Sequence, residues 1–178
     1  DELRLATAYL YMKPWFGFHS TRLFAMGDAR GNNIYGDNNN ETGYAPYCLF
    51  TDKPNTPGLA DAWNSLYIVV TQADYIINDY APQGRQHFSE AQANACEGEA
   101  RFMRAAAYYY LASYWHDVPI MENPIAHTEA FNMAPTRFED VIRYGIRDLE
   151  YAAEWLPLAD ADGRVTRYSA LGLLARYY

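Results

Sequence analysis

Leu3, Ala6 and Leu10 recur at helical spacing, so the chain opens within an amphipathic helix. The period returns from Ala60. Trp63, Leu66, Tyr67, Val70, Ala73 and Ile77 form one stripe, and Val69 and Ile76 lie on another face. This predicts a helix over about 60–79, buried on two sides. A polar break from Asp79 to Phe88 contains Pro82 and Gly84, and Ser89 with Gln92 then makes a capping box. The long helix it opens, about 89–115, carries the stripe Cys96, Ala100, Met103, Ala107, Leu111 and Tyr114. Gly98, Ala105, Ala106 and Ala112 let a neighbouring helix approach it closely. Asp117-Val118-Pro119 ends it, and residues 118–135, with Pro119, Pro124 and Pro135, are expected to be extended. Thr136 with Glu139 reads as a second capping box. It opens a helix over about 137–156, with Phe138, Val141, Ile142, Leu149, Ala152 and Leu156 on one face and Pro157 as its stop. Thr166 is the expected cap of a last helix from 167. Leu171, Leu174, Ala175 and Tyr178 keep the helical period to the end, so the chain is expected to be incomplete at both ends.

Between the first helix and Ala60 the pattern changes. Pro14 to Pro57 holds Gly17, Gly27, Gly31, Gly36, Gly43, Pro46, Pro54 and the run Asp37-Asn38-Asn39-Asn40. A long irregular loop is expected there, and loops of that length inside compact domains usually carry function. Trp15, Phe16, Phe18, Phe24, Tyr35, Tyr44, Tyr47 and Phe50 are interleaved with the turn residues and argue against disorder.

Five helices without strand alternation predict an all-α fold of antiparallel helix pairs in a single domain, 1–178, with residues 1–59 as first helix plus loop and 60–178 as scaffold. Helix starts near 60, 89, 137 and 167 do not repeat on the roughly 34-residue period of a regular tetratricopeptide array, so the pairs are degenerate repeats.

Half of the 178 residues are hydrophobic, enough for one core. Fourteen Lys and Arg against twenty-two Asp and Glu give a net charge of −8, and Lys13 and Lys53 are the only lysines. No basic cluster is present to neutralise a phosphate backbone, which argues against nucleic acid. Cys48 and Cys96 have no partner at metal-ligand spacing, although one bridge between them stays open. His19, His87, His116 and His127 sit in no catalytic context. Gly27-Asp28-Ala29-Arg30-Gly31 lacks the spacing of a phosphate loop. Asp37, Asn39 and Glu41 alternate as calcium ligands do, without the Gly and the bidentate Glu such a loop requires. Asp148 with Glu150, and Asp160 with Asp162, read as solvent-facing acids rather than an acid/base pair. The run Tyr108-Tyr109-Tyr110 reads as packing. Seventeen Tyr and eleven Asn make a composition rich in flat rings and amides, suited to sugar or peptide ligands.

Four stretches go together. Trp63-Asn64-Ser65-Leu66-Tyr67-Ile68 forms a Trp-x3-Tyr helix leading to a polar position at Asp74. Gly98-Glu99-Ala100-Arg101-Phe102-Met103-Arg104-Ala105 runs on to Tyr108-Tyr109 and to His116-Asp117-Val118-Pro119-Ile120. Arg137 to Pro157 carries Val141, Ile146, Asp148-Leu149, Ala152 and Leu156-Pro157. Gly163-Arg164-Val165-Thr166 precedes Ala170 to Arg176. In order and spacing they resemble the SusD/RagB family, outer-membrane nutrient-binding lipoproteins that sit over a TonB-dependent transporter. The chain departs from the family pattern with Asp74 where Asn is usual and with His116 where Gly is usual, so His116 is expected to take up the backbone conformation that Gly supplies.

The resemblance implies a mostly helical SusD-like fold with degenerate tetratricopeptide pairs, of which this chain holds the N-terminal part. It implies a non-catalytic cell-surface protein, lipid-anchored at the Gram-negative outer membrane, that binds an oligosaccharide and delivers it to a SusC-like TonB-dependent transporter without a cofactor or metal. A peptide-binding member of the family and a tetratricopeptide-type interaction scaffold are the alternatives. The matched motifs are scaffold, with Glu99 and Arg101 expected in ion pairs. In glycan-binding members, rings and amides in the loop before the Trp-x3-Tyr helix contact sugar, here about Tyr44 to Asn55. The candidate ligand contacts are therefore Tyr44, Tyr47 and Phe50 as stacking rings, with Asn55 and Arg30 as polar partners.

Overall fold

The Ser89 capping box forms in full: Ser89 Oγ accepts from the Gln92 amide at 3.3 Å, and the Ser89 amide donates to Gln92 Oε1 at 3.1 Å. It opens the helix about which the fold is organised. The computed structural model describes residues 2–12, 15, 17–34, 44–123 and 133–178. Lys13, Pro14, Phe16, Tyr35, Gly36, the turn from Asp37 to Asn40, Glu41, Gly43, Pro124 and His127 lie outside the described residues.

Seven α-helices are described: α1 (Glu2–Ala8), α2 (Ala45–Cys48), α3 (Leu59–Tyr75), α4 (Ala81–Gly84), α5 (Glu90–Trp115), α6 (Phe138–Trp155) and α7 (Arg167–Tyr177). A 3-10 turn (Tyr9–Tyr11) follows α1, and wide turns occupy Phe18–Arg22, Ala25–Ala29 and Ile76–Tyr80. Among the described residues there is no strand, only one antiparallel bridge between Val118 and Thr136. α5 packs against α1, α3 and α6, and α7 packs on α6. The core joins Leu66, Val69, Val70 and Ala73 of α3 to Ala100, Ala107, Tyr108 and Leu111 of α5, all fully buried.

Glycine permits a close approach between α6 and α7. A Cβ at Gly145 would lie 2.3 Å from the hydroxyl of Tyr177, which donates to the Ala105 carbonyl at 2.6 Å and so ties α7 to α5. Ion pairs do the remaining clamping. Arg104 bonds Asp74 of α3 and Asp148 of α6, Arg101 bonds Glu97 and Asp148, and Arg164 bonds Glu99. Tyr108, Tyr109 and Tyr110 all pack: Tyr108 accepts from the Met121 amide, Tyr109 meets Tyr177, and Tyr110 meets Phe18.

Several local expectations give way. Residues 17–29 are helical rather than irregular, because Phe18, Ala25, Met26 and Ala29 bury on one side. The helix expected to end near 79 runs on to Gly84. Pro82 stands just after the wide turn Ile76–Tyr80, through which the helix passes. The Thr136–Glu139 capping box does not form. Thr136 pairs its backbone with Val118, Arg137 takes the cap position, and Asp117 Oδ1 accepts from the Phe138 amide at 2.9 Å. Asp148 is buried between two arginines rather than facing solvent, and Asp160 pairs with Arg4. Cys48 and Cys96 form no disulfide. His116 has φ +67° and ψ −93°, a positive-φ backbone of the kind that glycine supplies, as expected of it.

Candidate functional site

The segment before α3 is shaped by two residues with positive φ. Gly58 (φ +94°) starts α3, and a Cβ there would fall 2.1 Å from Arg22 Cζ, so only glycine lets Arg22 lie across the helix entrance. Phe50 (φ +53°) follows α2. Its amide donates to the Tyr47 carbonyl at 3.4 Å, and the Thr51 amide donates to the Pro46 carbonyl at 2.9 Å. That pair of bonds is the Schellman cap, whose left-handed position normally holds glycine. A phenylalanine occupies it here, and the residue is 69% exposed. The next turn closes between Lys53 and Thr56, each amide bonding the other residue.

A groove of about 540 Å³ runs below these turns, lined by Met26, Arg30, Asp52, Lys53, Pro54, Leu59, Ala60, Trp63, Tyr114 and Trp115. α3 presents Trp63, and the end of α5 presents Tyr114 and Trp115. Trp63 and Trp115 meet edge to face at 5.4 Å, and Trp63 also packs on Tyr67 at 4.8 Å, so the indoles are held in place. Arg30 Nη2 bonds Asp52 Oδ1 at 2.5 Å. The Arg30 guanidinium lies 6.0 Å from the centre of the Tyr47 ring and 5.8 Å from that of Phe50, within range of cation–π attraction to both. Burial pushes the hydroxyl pKa of Tyr114 up, so it stays a neutral donor and acceptor at the wall.

The five expected site residues separate. Arg30 lines the groove. Phe50 is exposed and stands beside Arg30. Tyr44 is half-buried against the core, and Asn55 is exposed on the turn. Tyr47 is corrected: its ring is fully buried, with its hydroxyl 3.4 Å from the Pro57 carbonyl, so it packs and has no free face for a sugar. Asp52, Trp63, Tyr114 and Trp115 also line the groove, and the sequence does not single them out as ligand contacts. Trp63 and Tyr114 belong to buried helical stripes in the sequence, and nothing there separates a stripe residue that borders a groove from one inside the core.

Chemically, the groove offers ring surfaces with a few polar ends. Among the described residues that line it, Asp52 is the one carboxylate. Fixed rings beside hydrogen-bonding groups suit a ligand with apolar faces and hydroxyl edges.

The chain is similar to known proteins over its whole length. Residues 18–178 match the SusD-like family model described as starch-binding and associating with the outer membrane. A SusD-like protein of Bacteroides ovatus is 33% identical over all 178 residues, and the chain covers 32% of that relative. A crystal structure with xylogluco-oligosaccharide superposes with a TM-score of 0.87 at 33% identity, over 100% of this chain and 34% of that one. A surface glycan-binding protein A of Bacteroides fluxus shares the fold, with a TM-score of 0.82 at 20% identity, over 99% of this chain and 39% of that one. The chain thus spans about a third of the length of the first of these relatives.

Proposed function

As the chain belongs to the SusD-like family, we propose that it captures a neutral oligosaccharide in the groove between Arg30, Trp63 and Trp115 and holds it, breaking no bond, for a TonB-dependent transporter in the outer membrane. The observation that carries this reading is the exposed Phe50 standing beside Arg30, which itself lines a groove walled by Trp63, Tyr114 and Trp115. Apolar sugar faces stack on rings, and hydroxyl edges bond the free ends of Arg30, Lys53 and Tyr114. A β-glucan with short side branches is the first ligand to try, because a relative 33% identical is solved with xylogluco-oligosaccharide. Anchoring at the cell surface by a lipid is part of the same proposal. No helix among the described residues is long and apolar enough to cross a membrane. Contact with the transporter is assigned to the first helix and its following turn, where Leu5, Tyr9 and Met12 are exposed at i, i+4 and i+7 spacing.

The test is calorimetric titration of the full-length protein with xylogluco-oligosaccharide, laminarin oligosaccharides and a peptide mixture, with product chromatography after long incubation. Saturable glycan binding with the glycan recovered intact is expected. Peptide binding without glycan binding, or shortened glycan, overturns the reading. Gentle detergent extraction of membranes is expected to bring down a large β-barrel with the full-length protein.

A further inference from the structure

Phe50 is in the wrong place for a residue chosen by packing. It holds the left-handed position of a Schellman cap, which favours glycine, and its large ring stands mostly in solvent. Strain of this kind persists where the surroundings over-determine it, and it clusters at ligand clamps. The surroundings here are specific. The Arg30 guanidinium lies 5.8 Å from the centre of the exposed Phe50 ring and 6.0 Å from that of the buried Tyr47 ring, bridging an interior ring and an exterior one. Asp52, two residues beyond Phe50, bonds Arg30 at 2.5 Å. The Asp52 side chain is 22% exposed and that of Arg30 40%, so the pair is only partly screened by water.

We propose that Asp52 is a positioning residue: through Arg30 it fixes the Phe50 ring as a stacking platform beside the groove. The inference rests on the glycan reading above for the ligand, and on local geometry alone for the positioning. Without the carboxylate, Arg30 loses the partner that holds its guanidinium at the ring, and the 49–53 turn is free to rotate Phe50 away. The ligand class is a neutral sugar ring with an apolar face. Asp52 compensates the nearest cation, so an acidic sugar gains little from Arg30.

A double-mutant cycle on the full-length protein separates positioning from direct contact. With xylogluco-oligosaccharide as probe, Phe50→Ala is expected to weaken binding by about 2- to 10-fold, the range of one aromatic contact. Asp52→Asn is expected to weaken it by a similar factor, Asp52→Glu to restore most of the loss, and Asp52→Asn in the Phe50→Ala background to add nothing. An equal loss from Asp52→Asn in both backgrounds means that Asp52 touches the sugar itself, and this overturns the proposal. No loss from Phe50→Ala overturns it as well. Amide hydrogen exchange tests the positioning with no ligand present: Asp52→Asn should speed exchange at Phe50 and Thr51 and leave α3 and α5 unchanged. If no glycan binds wild type, the glycan reading fails and the exchange result decides alone, with unchanged rates at Phe50 and Thr51 overturning the positioning role.

Discussion

The Arg104 guanidinium bonds Asp74 at 2.5 Å where both side chains are shut off from solvent, joining α5 to α3 through a charge pair inside the core. Asp74 Oδ2 is buried with no hydrogen-bond partner among the described residues. Burial pushes the Asp74 carboxyl pKa up to about 7, and the opposite charge of Arg104 only partly offsets it. Folding therefore favours the protonated acid. Its stabilising contribution is complete below the unfolded value near 4 and is lost as pH rises through about 7.

The first prediction follows from that sign. Asp74→Asn keeps the shape and removes the titration, so the unfolding midpoint of the variant should gain on wild type as pH rises from 5 to 8. The change in their stability difference should be about 1–3 kcal/mol, given about 1.4 kcal/mol per pKa unit. His19, whose pKa burial lowers, contributes with the opposite sign, but it is common to both proteins and cancels in the difference. Thermal melts at four pH values suffice, and a difference that stays constant with pH would refute the assignment to Asp74.

Close packing of α6 on α7 gives the second prediction. Gly145→Ala puts a Cβ 2.3 Å from the Tyr177 hydroxyl, so Tyr177 must move and release the Ala105 carbonyl. Overpacking of this kind should destabilise by about 1–3 kcal/mol in urea unfolding of the full-length protein. Tyr177→Phe keeps the ring and loses the bond, and it should cost about 1 kcal/mol. If Gly145→Ala is neutral, α7 does not sit as described.

The third prediction concerns His116, where the helix ends in a residue with φ +67° and ψ −93°. Its ring stacks on Phe138 at 4.8 Å, and its Nδ1 lies 2.8 Å from Asp117 Oδ1. His116→Ala loses those contacts and keeps the backbone strain, so it should be less stable than wild type by about 1 kcal/mol. His116→Gly removes the strain as well, and it should be more stable than the alanine variant by a similar amount. Equal stability of the two variants would show that the conformation carries no strain.

The sequence and the structure agree where one periodic force decides the outcome. The stripe from Cys96 to Leu111 faces inward as spacing requires, and the Ser89–Gln92 box forms because the two residues meet within one turn. The all-α fold and the motifs that resemble the SusD/RagB family could be read for this reason. Pattern reading fails where a distant residue decides. Thr136 is drawn from its local box by Val118, and Asp148 is buried because Arg101 and Arg104 reach it from another helix. The groove proposed as the site was half legible. Phe50 and Arg30 stand out as loop residues with no packing period. Asp52 is identified only by its distance from Arg30, and Tyr47, which looks the same as Phe50 in the sequence, is buried by the turn of α2.

The last prediction opposes stability to binding at one residue. A left-handed non-glycine residue costs roughly 1–2 kcal/mol, and a phenylalanine 69% exposed recovers little of that by packing. Phe50→Gly fits the Schellman cap without strain, and part of that gain is offset by the greater freedom of glycine in the unfolded chain. The variant should therefore be as stable as wild type or more stable, by up to about 1 kcal/mol. It also deletes the ring, so affinity for xylogluco-oligosaccharide should fall by about 0.5–1.5 kcal/mol. Thermal unfolding and calorimetric titration of the same full-length preparation read both quantities. A variant that is less stable shows that the ring belongs to the core, whereas one that keeps its full affinity shows that the sugar lies elsewhere. Higher stability with weaker binding is the outcome expected of a strained residue kept for its ligand, since a residue kept for packing would lose stability when its ring is removed.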